Sequence, residues 1–241
     1  MDFSVINESS LHKSIKELYS PKFKGKTEVQ ADGHVYDILT ENNEVIEIQT
    51  KNLSQILKKC LDALEKSHRV LVVHPLVITK TIETYNEDGL LISRKKSPKK
   101  GHLYDIFREL TGFYPILLKE NFSLEVLGVN ITEIRKKTEE KVQTAQKSRR
   151  FKKDYIKTDK KLDSIIFALQ FSKKEDYQKL LPLGLPKIFC AKDVEKLLLE
   201  DKSIPKRIAE NANIILWVLV RMEIIKECEK KGRTKYYALA D

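Results

Sequence analysis

The chain of 241 residues is 41% hydrophobic, so it can bury the core of one large domain or of two modest ones. Lys and Arg total 45 against 35 Asp and Glu, and the net charge of +10 favours a polyanionic partner such as DNA or RNA. No apolar run reaches the roughly 18 residues that span a bilayer, the first residues lack a secretory signal, and three scattered cysteines indicate neither disulfides nor a zinc site. We therefore expect a cytoplasmic protein without a membrane contact.

Residues 1–133 predict an α/β domain with a mixed sheet flanked by helices. Leu11, Ile15 and Leu18 recur at helical spacing, whereas the residues from Val45 to Thr50 alternate as in a strand. In chain order the predicted elements are a helix over 8–19 ended by Pro21, a hairpin of 34–39 and 45–50, a helix over 54–67, a buried strand over 70–73 that stops near Pro75, a hairpin of 81–85 and 90–93, a helix over 103–110 and a strand over 123–129. A helix followed by an apolar strand indicates a crossover onto the same sheet.

Charge dominates the segment from 134 to 158. Between Arg135 and Lys161 the sequence holds twelve Lys or Arg residues and four acidic residues, a local net charge of +8. Because apolar anchors are few, we predict a basic linker, part helix and part loop, between residues 1–133 and a second domain over 159–241. A block of this kind suits a nucleic-acid backbone, and a solvated linker or helix face is the alternative.

Residues 159–241 predict a winged helix-turn-helix domain. The expected elements are helices over 162–171, 191–199 and 203–222, then a hairpin of 224–228 and 234–239. Three helices followed by a hairpin with a basic tip are the order of that motif. Winged helices bind DNA in many proteins and serve as protein–protein modules in others, so both kinds of partner stay open.

Basic residues cluster at three places where DNA would be held. Asn and Arg side chains can read base edges, and Lys side chains suit phosphates. The nucleic-acid-binding candidates are Lys95, Lys96, Lys99 and Lys100 after the second hairpin, Lys206, Arg207 and Asn211 in the first half of the long helix, and Lys231, Arg233 and Lys235 at the tip of the last hairpin.

The hairpin from Asp37 to Gln49 carries the pattern most typical of a functional site. Residues two apart in a strand share a face, so Glu47, Gln49 and Lys51 point one way. A short shift of register would bring the carboxylate of Asp37, on the neighbouring strand, close to Glu47. Two such carboxylates repel one another unless a cation lies between them. Oxygen ligands with room for water and phosphate suit Mg²⁺ or Mn²⁺, which can activate water at a phosphodiester. An ordinary solvated strand face is the alternative.

Asp37 followed by Glu47-Ile48-Gln49 resembles the signature of the PD-(D/E)xK nuclease superfamily, with Gln in place of the Lys. The resemblance extends over roughly residues 5–130 as an order of elements, and the whole chain resembles bacterial and archaeal proteins that join such a core to a winged helix. It implies a restriction-endonuclease-like fold in which Asp37 and Glu47 hold the metal and Glu8, on the helix before the sheet, completes the shell. Gln49 and Lys51 would then position the attacking water or the scissile phosphate, although Gln49 lacks the positive charge of the superfamily's Lys.

The resulting hypothesis is a Mg²⁺-dependent or Mn²⁺-dependent endonuclease that hydrolyses DNA in restriction, repair or defence against mobile elements. Many such nucleases dimerise to cut two strands, so a homodimer is compatible with it. Because Gln49 departs from the signature, a non-catalytic DNA-binding protein, such as a transcriptional regulator on a degenerate nuclease fold, is the alternative. Convergence of Asp37 and Glu47 within metal-bridging distance, with Glu8 facing them, would favour the enzyme. A salt bridge of Glu47 to Lys51 or Lys16 without a cleft would favour the regulator. His12 is interpreted as a half-buried helix residue that could also line the same cleft.

Overall fold

The computed structural model describes residues 9–143 and 152–240. Its helices are α1 (Ser10–Phe23), α2 (Leu57–Glu65), α3 (Ile106–Leu110), α4 (Lys174–Gln178), α5 (Ala191–Glu200), α6 (Lys206–Ala209) and α7 (Ala212–Arg221), and 3₁₀ turns lie at Leu53–Ile56, Leu103–Asp105 and Tyr114–Ile116. Its strands are β1 (Gly25–Ala31), β2 (His34–Thr40), β3 (Glu44–Ile48), β4 (Arg69–Tyr85), β5 (Leu91–Lys96), β6 (Phe122–Gln143), β7 (Lys152–Phe171), β8 (Phe189–Cys190), β9 (Ile225–Lys231) and β10 (Thr234–Leu239).

Seven of the described strands form one mixed sheet in the order β1-β2-β3-β4-β6-β7, with β5 paired to the far end of β4. β1, β2 and β3 form an antiparallel meander. The chain then passes through α2 to β4, which lies parallel to β3 and to β6, and β7 returns antiparallel along β6. The predicted α/β fold with a mixed sheet is confirmed, including the hairpin β2–β3 and the crossover to β4.

Helices cover both faces of the sheet and bury its central strands. On one face, Leu11 and Ile15 of α1 pack with Ile46 and Ile48 of β3. On the other face, α2 joins the larger core through Cys60. Because β3 is buried from both sides, a charged residue within it must find partners inside the protein.

β4 is a single strand of 17 residues where the sequence pattern predicts two. The prediction that the first of them stops near Pro75 is wrong. β3 ends at Ile48, which pairs with Val73, so Pro75 lies where one side of β4 has no partner among the described strands. A proline is tolerated beside an unpaired strand edge, because its missing N–H removes no ladder bond on that side. The predicted hairpin of 81–85 and 90–93 is confirmed as the pairing of β4 with β5.

Two helix boundaries also differ from the prediction. α1 runs through Pro21 to Phe23, and Lys24 ends it in the left-handed conformation with a φ of 51°. The helix predicted over 203–222 is two helices, α6 and α7. The break falls at Asn211, which leaves helical geometry with a φ of −104° and a ψ of 23°. Its side chain donates to the backbone carbonyl four residues earlier, and Asn favours such local bonds at helix starts.

The basic segment and the helix predicted after it are strands. β6 and β7 pair along almost their whole length, so the linker of helix and loop over 134–158 and the helix over 162–171 are wrong for the described residues. Residues 144–151, the middle of the predicted linker, lie outside the described ranges. Ile165 and Leu169 have helical spacing, but both side chains are exposed on an edge strand. The pairing with β6 decides the conformation, since local pattern is a weak guide where neither face is fully buried.

The predicted domain boundaries at 133/134 and 158/159 fall inside β6 and β7, so residues 159–171 belong to the large sheet. Beyond β7 the chain forms α4, α5, α6 and α7 and a small sheet in the order β8-β10-β9. Helices followed by the hairpin β9–β10 are the predicted order, and the assignment to a winged helix stays a prediction. The Trp217 ring of α7 meets the Tyr114 ring at 5.7 Å, so this unit packs on the sheet domain. None of the described helices is long and apolar enough to cross a membrane.

Candidate functional site

Asp37 and Glu47 lie side by side where β2 and β3 separate. The last paired residues are Ile38 opposite Ile46, and Asp37 beside Glu47 is the next position outward. The backbone N–H of Asp37 donates to Glu47 Oε1 at 3.3 Å, and the backbone N–H of Ile48 donates to Asp37 Oδ2 at 2.8 Å. Two side chains thus accept bonds that a regular ladder would give to backbone carbonyls. Asp37 and Glu47 are therefore adjacent in the structure.

His12 and Lys59 flank this carboxylate pair. His12 lies in the first turn of α1, which Ser9 caps by accepting from the His12 backbone N–H. Its ring Nε2 is 3.2 Å from Asp37 Oδ2. Lys59 comes from α2, and its Nζ is 2.6 Å from Glu47 Oε1. Each carboxylate therefore has a side-chain nitrogen partner from a different helix.

Glu47 is a buried carboxylate next to a second one, with a relative exposure of 3%. Burial, and then the charge of Asp37, raise the pKa of Glu47 to about 7, although Lys59 acts to lower it. Burial acts to raise the pKa of Asp37 as well, but the bonds from His12 and from the Ile48 N–H outweigh it and hold that pKa below its usual value. Near neutral pH Glu47 therefore carries a proton for part of the time, and a cation bound beside it would take the place of that proton.

The remaining residues of the predicted site lie apart from the pair. The Gln49 side chain turns toward the following loop, where its Nε2 donates to the Asn52 carbonyl oxygen at 3.1 Å. Lys51 is exposed in that loop. Glu8 lies outside the described residues. The structure therefore brings the two carboxylates together and directs Gln49 elsewhere.

Lys59 is the residue of the site that the sequence analysis missed. It lies three residues after Ile56 and four before the buried Ala63, so it is on the core-facing side of α2. A lysine on the buried side of an amphipathic helix needs an acidic partner, and that position is the signal that would have found it. His12 is the half-buried helix residue that the sequence predicts, and it also contacts the site.

Asp37 and Glu47 by themselves could supply at most two ligands to a divalent cation. Mg²⁺ in proteins commonly takes one or two carboxylates and completes its shell with water and substrate phosphate oxygens. Across residues 9–143 and 152–240, no three His, Cys, Asp or Glu side chains are grouped to hold a metal ion by themselves. Lys59 already gives Glu47 one positive charge, so a cation would have to share that contact or displace it.

The predicted DNA-contact residues differ in their exposure and in the partners that they already have within the protein. Lys95 and Lys96 are exposed on β5, and Lys99 and Lys100 are exposed in the loop that follows. Arg207 is partly exposed but already has partners within the protein. Its guanidinium makes two contacts to the Asp105 carboxylate, with Nη2 2.7 Å from Oδ2, and donates to the Lys100 carbonyl oxygen. It fastens α6 to the segment before α3. This placement does not offer Arg207 to a DNA base.

The other basic candidates of the C-terminal unit lie at its surface. Three of them pair with acidic neighbours: Lys206 with Glu210, Lys231 with Glu229 and Lys235 with Glu227. Arg233 is exposed at the turn between β9 and β10, and Asn211 donates to the Arg207 carbonyl oxygen.

The fold and this geometry define a mixed α/β protein in which a buried and a partly exposed carboxylate lie where two strands separate. Residues 9–172 match the family described as Domain of unknown function (DUF8091), and the chain belongs to that family. An uncharacterized protein of Treponema pallidum (strain Nichols) is 29% identical over 237 residues, which cover 98% of this chain and 87% of that protein. No solved structure matches the chain. Since the family match ends with β7, the large sheet with its β6–β7 pair is the unit that the family shares.

Proposed function

We propose that the protein is a divalent-metal-dependent phosphodiesterase acting on DNA, with Asp37 and Glu47 as its metal ligands. The observation that carries the proposal is the adjacency of Asp37 and Glu47 at the separation of β2 and β3, where the Asp37 backbone N–H donates to Glu47 Oε1 at 3.3 Å. The chain order α1, β1–β3, α2 and β4, with β4 parallel to β3, agrees with the order that the resemblance to PD-(D/E)xK nucleases implies. This agreement supports a restriction-endonuclease-like assignment of the sheet.

Each residue of the site has a distinct role in this proposal. When bound, Mg²⁺ or Mn²⁺ would lower the pKa of a water ligand and offset the charge of the phosphodiester. Asp37 and Glu47 would hold the cation. His12 is a positioning residue, because its ring contacts Asp37 Oδ2 and orients that carboxylate. Lys59 supplies the positive charge that Gln49 cannot, and an ammonium group released from Glu47 would be available to a phosphate oxygen.

The C-terminal unit would add contacts to the substrate. In this proposal β8–β10 and α5–α7 form a winged helix whose exposed residues Lys206 and Arg233 meet phosphates. Lys95, Lys96, Lys99 and Lys100 would extend that basic surface. A homodimer that cuts both strands is compatible with the proposal.

A second candidate function is DNA binding without hydrolysis. It is favoured by the Glu47–Lys59 contact, because an exposed fraction of 3% and one bound ammonium group leave Glu47 partly neutralised without any metal. The orientation of Gln49 toward Asn52 also leaves the pair without the polar side chain that the nuclease signature places beside it.

Cleavage assays separate the two candidates. Plasmid, linear duplex and single-stranded DNA would be incubated with the wild type in Mg²⁺, in Mn²⁺ and in EDTA. We expect metal-dependent nicking or cutting that falls about a hundredfold or more in Asp37→Asn, Glu47→Gln and Lys59→Gln. The first two changes each remove the charge of a proposed metal ligand, and the third removes the positive charge proposed to meet the phosphate.

Two variants serve as matched controls. Lys58→Gln removes an exposed lysine next to Lys59, and Glu41→Gln removes an exposed carboxylate in the β2–β3 turn. Both should cut as the wild type does. Cutting that survives Asp37→Asn and Glu47→Gln would rule out the site, and DNA binding without any cutting would establish the second candidate.

A further inference from the structure

β6 and β7 continue beyond the body of the large sheet as a two-stranded ribbon. The last pairing of β4 with β6 is Tyr85 opposite Lys136. Beyond it β6 pairs only with β7 among the described strands, at Lys137 opposite Tyr155, Val142 opposite Lys153 and Gln143 opposite Lys152, with a register shift between Lys137 and Val142. At about 3.3 Å per residue, the four residues of β7 from 152 to 155 span roughly 10 Å.

The described ribbon and its base are exposed, and most of the positive charge lies at the base. Ribbon residues 137–143 and 152–155 contain four lysines and three acidic residues, and base residues 135–136 and 156–161 contain five Lys or Arg residues and one acidic residue. The exposed lysines of the two parts together are Lys136, Lys137, Lys141, Lys152, Lys153, Lys157 and Lys161. The Arg135 guanidinium lies 4.0 Å from the centre of the Tyr155 ring, and Lys153 Nζ is 3.0 Å from the Tyr155 hydroxyl. The charges are therefore spread along both strands around one aromatic residue.

A buried carboxylate anchors the base of the ribbon. Glu133 has a relative exposure of 1%, and three cations surround it. Lys80 Nζ lies 2.9 Å from it, Lys157 Nζ lies 3.0 Å from it, and Arg135 Nη2 lies 2.5 Å from it. Because one of these cations comes from β4 and the others from β6 and β7, the cluster joins the ribbon to the centre of the sheet. Because one carboxylate faces three cations, this cluster has a net positive charge.

The base of the ribbon also lies beside the carboxylate site. The backbone N–H of Ser10, at the start of α1, donates to Asp159 Oδ1 at 2.9 Å, and the Ser10 hydroxyl contacts the same carboxylate. Lys160 is close enough to Lys51 for their charges to interact, since burial and then repulsion from Lys157 and Lys51 lower the pKa of Lys160. Positive charge therefore continues from the ribbon to the loop that follows β3.

We propose that the β6–β7 ribbon binds the backbone of duplex DNA and, through the lysines at its base, holds that duplex against the Asp37–Glu47 site. This inference rests on the proposed function and names the form of its substrate. A two-stranded β-ribbon fits the major groove of B-DNA, which is about 12 Å wide. The major groove of duplex RNA is too deep and narrow for side chains to reach its floor. Lysines spread along both strands suit phosphates on either side of a groove.

Salt-dependent binding in EDTA tests the ribbon without any cleavage. Fluorescence anisotropy of a labelled DNA duplex would be recorded for the wild type and for the variant K136Q/K137Q/K141Q at several KCl concentrations. Each phosphate contact contributes about 0.9 to the slope of log K against log salt, so loss of three contacts should lower the slope by up to about 2.7. At about 0.1 M salt the affinity should fall roughly ten- to a hundredfold.

The matched control K66Q/K119Q/K187Q removes the same charge from exposed lysines outside the ribbon. It should keep the wild-type slope. An unchanged slope in the ribbon variant, or an equal fall in both variants, would overturn the inference. So would tighter binding of duplex RNA than of duplex DNA. Failure of the proposed function gives a different result. In that case the wild type would bind duplex DNA through the ribbon but would cut nothing in Mg²⁺ or Mn²⁺.

Discussion

Two buried glutamates on the same sheet have pKa values that are shifted in opposite directions. Glu47 is 3% exposed and Glu133 is 1% exposed. Burial and the charge of Asp37 raise the pKa of Glu47 to about 7. Burial also acts to raise the pKa of Glu133, but Lys80, Lys157 and Arg135 outweigh it and lower that pKa to about 2. The sign and number of neighbouring charges therefore decide the state of a buried carboxylate.

This difference distinguishes a carboxylate that holds strands together, Glu133, from one that can bind a cation, Glu47. A carboxylate that three cations surround is satisfied and fixes the strands that supply them. A carboxylate held beside another acid is satisfied only in part, so it gains by binding a cation or a proton. The first arrangement fastens the ribbon, and the second is the arrangement that we propose for metal binding.

The largest expected effect is the loss of stability on removing the anchor charge. Glu133→Gln leaves three cations close together without their counter-charge, so we expect the free energy of unfolding to fall by about 2–3 kcal/mol. Glu47→Gln removes repulsion from Asp37 as well as attraction to Lys59, so its change should stay below about 1 kcal/mol. Urea denaturation at neutral pH measures both values.

Glu140→Gln is the matched control for the anchor, because it removes an exposed carboxylate from the same strand. Its free energy of unfolding should stay within about 0.5 kcal/mol of the wild type. Equal destabilisation by Glu133→Gln and Glu47→Gln would show that the two glutamates do not differ as we describe.

A smaller effect is expected in the pH dependence of stability. The folded pKa of Glu47, about 7, lies above the value of about 4.3 for an unfolded chain, so its contribution is fully present below about pH 4.3 and is lost as the pH rises through 7. The folded pKa of Glu133, about 2, lies below that value, so its contribution is present above about pH 4.3 and is lost as the pH falls toward 2.

Urea midpoints of the wild type and Glu47→Gln between pH 5 and 8 measure the first of these dependences. The stability of the wild type relative to Glu47→Gln should fall across that range by an amount on the order of 1–3 kcal/mol. A difference that does not change with pH would contradict the raised pKa of Glu47.

Local sequence patterns predicted those parts of the fold in which one face is clearly apolar. The alternation around Ile46 and Ile48 placed β3, and the turn before it fixed the hairpin with β2. The sequence placed Asp37 near Glu47 only through a short shift of register, whereas the register in the structure makes the two residues neighbours directly. These features depend on residues close together in the chain, which is why a single sequence contains them.

The features that the sequence did not predict depend on contacts between residues far apart in the chain. β7 is exposed on an edge, so its charged and apolar residues follow no clean period of two, and only the pairing with β6 makes it a strand. Lys59 lies on α2, ten residues or more from either carboxylate, and its contact with Glu47 depends on how α2 packs. Arg207 was predicted at a DNA surface, but its partner Asp105 comes from a distant segment.

Binding of Mn²⁺ tests most directly whether the Asp37–Glu47 pair is a cation site. Isothermal titration of the wild type, Asp37→Asn, Glu47→Gln and the control Glu41→Gln would be carried out without DNA and again with a duplex present. We predict that the wild type and Glu41→Gln bind Mn²⁺ and that both site variants lose this binding. Mn²⁺ binding that is unchanged in Asp37→Asn and Glu47→Gln, or absent from the wild type even with duplex DNA, would contradict the account.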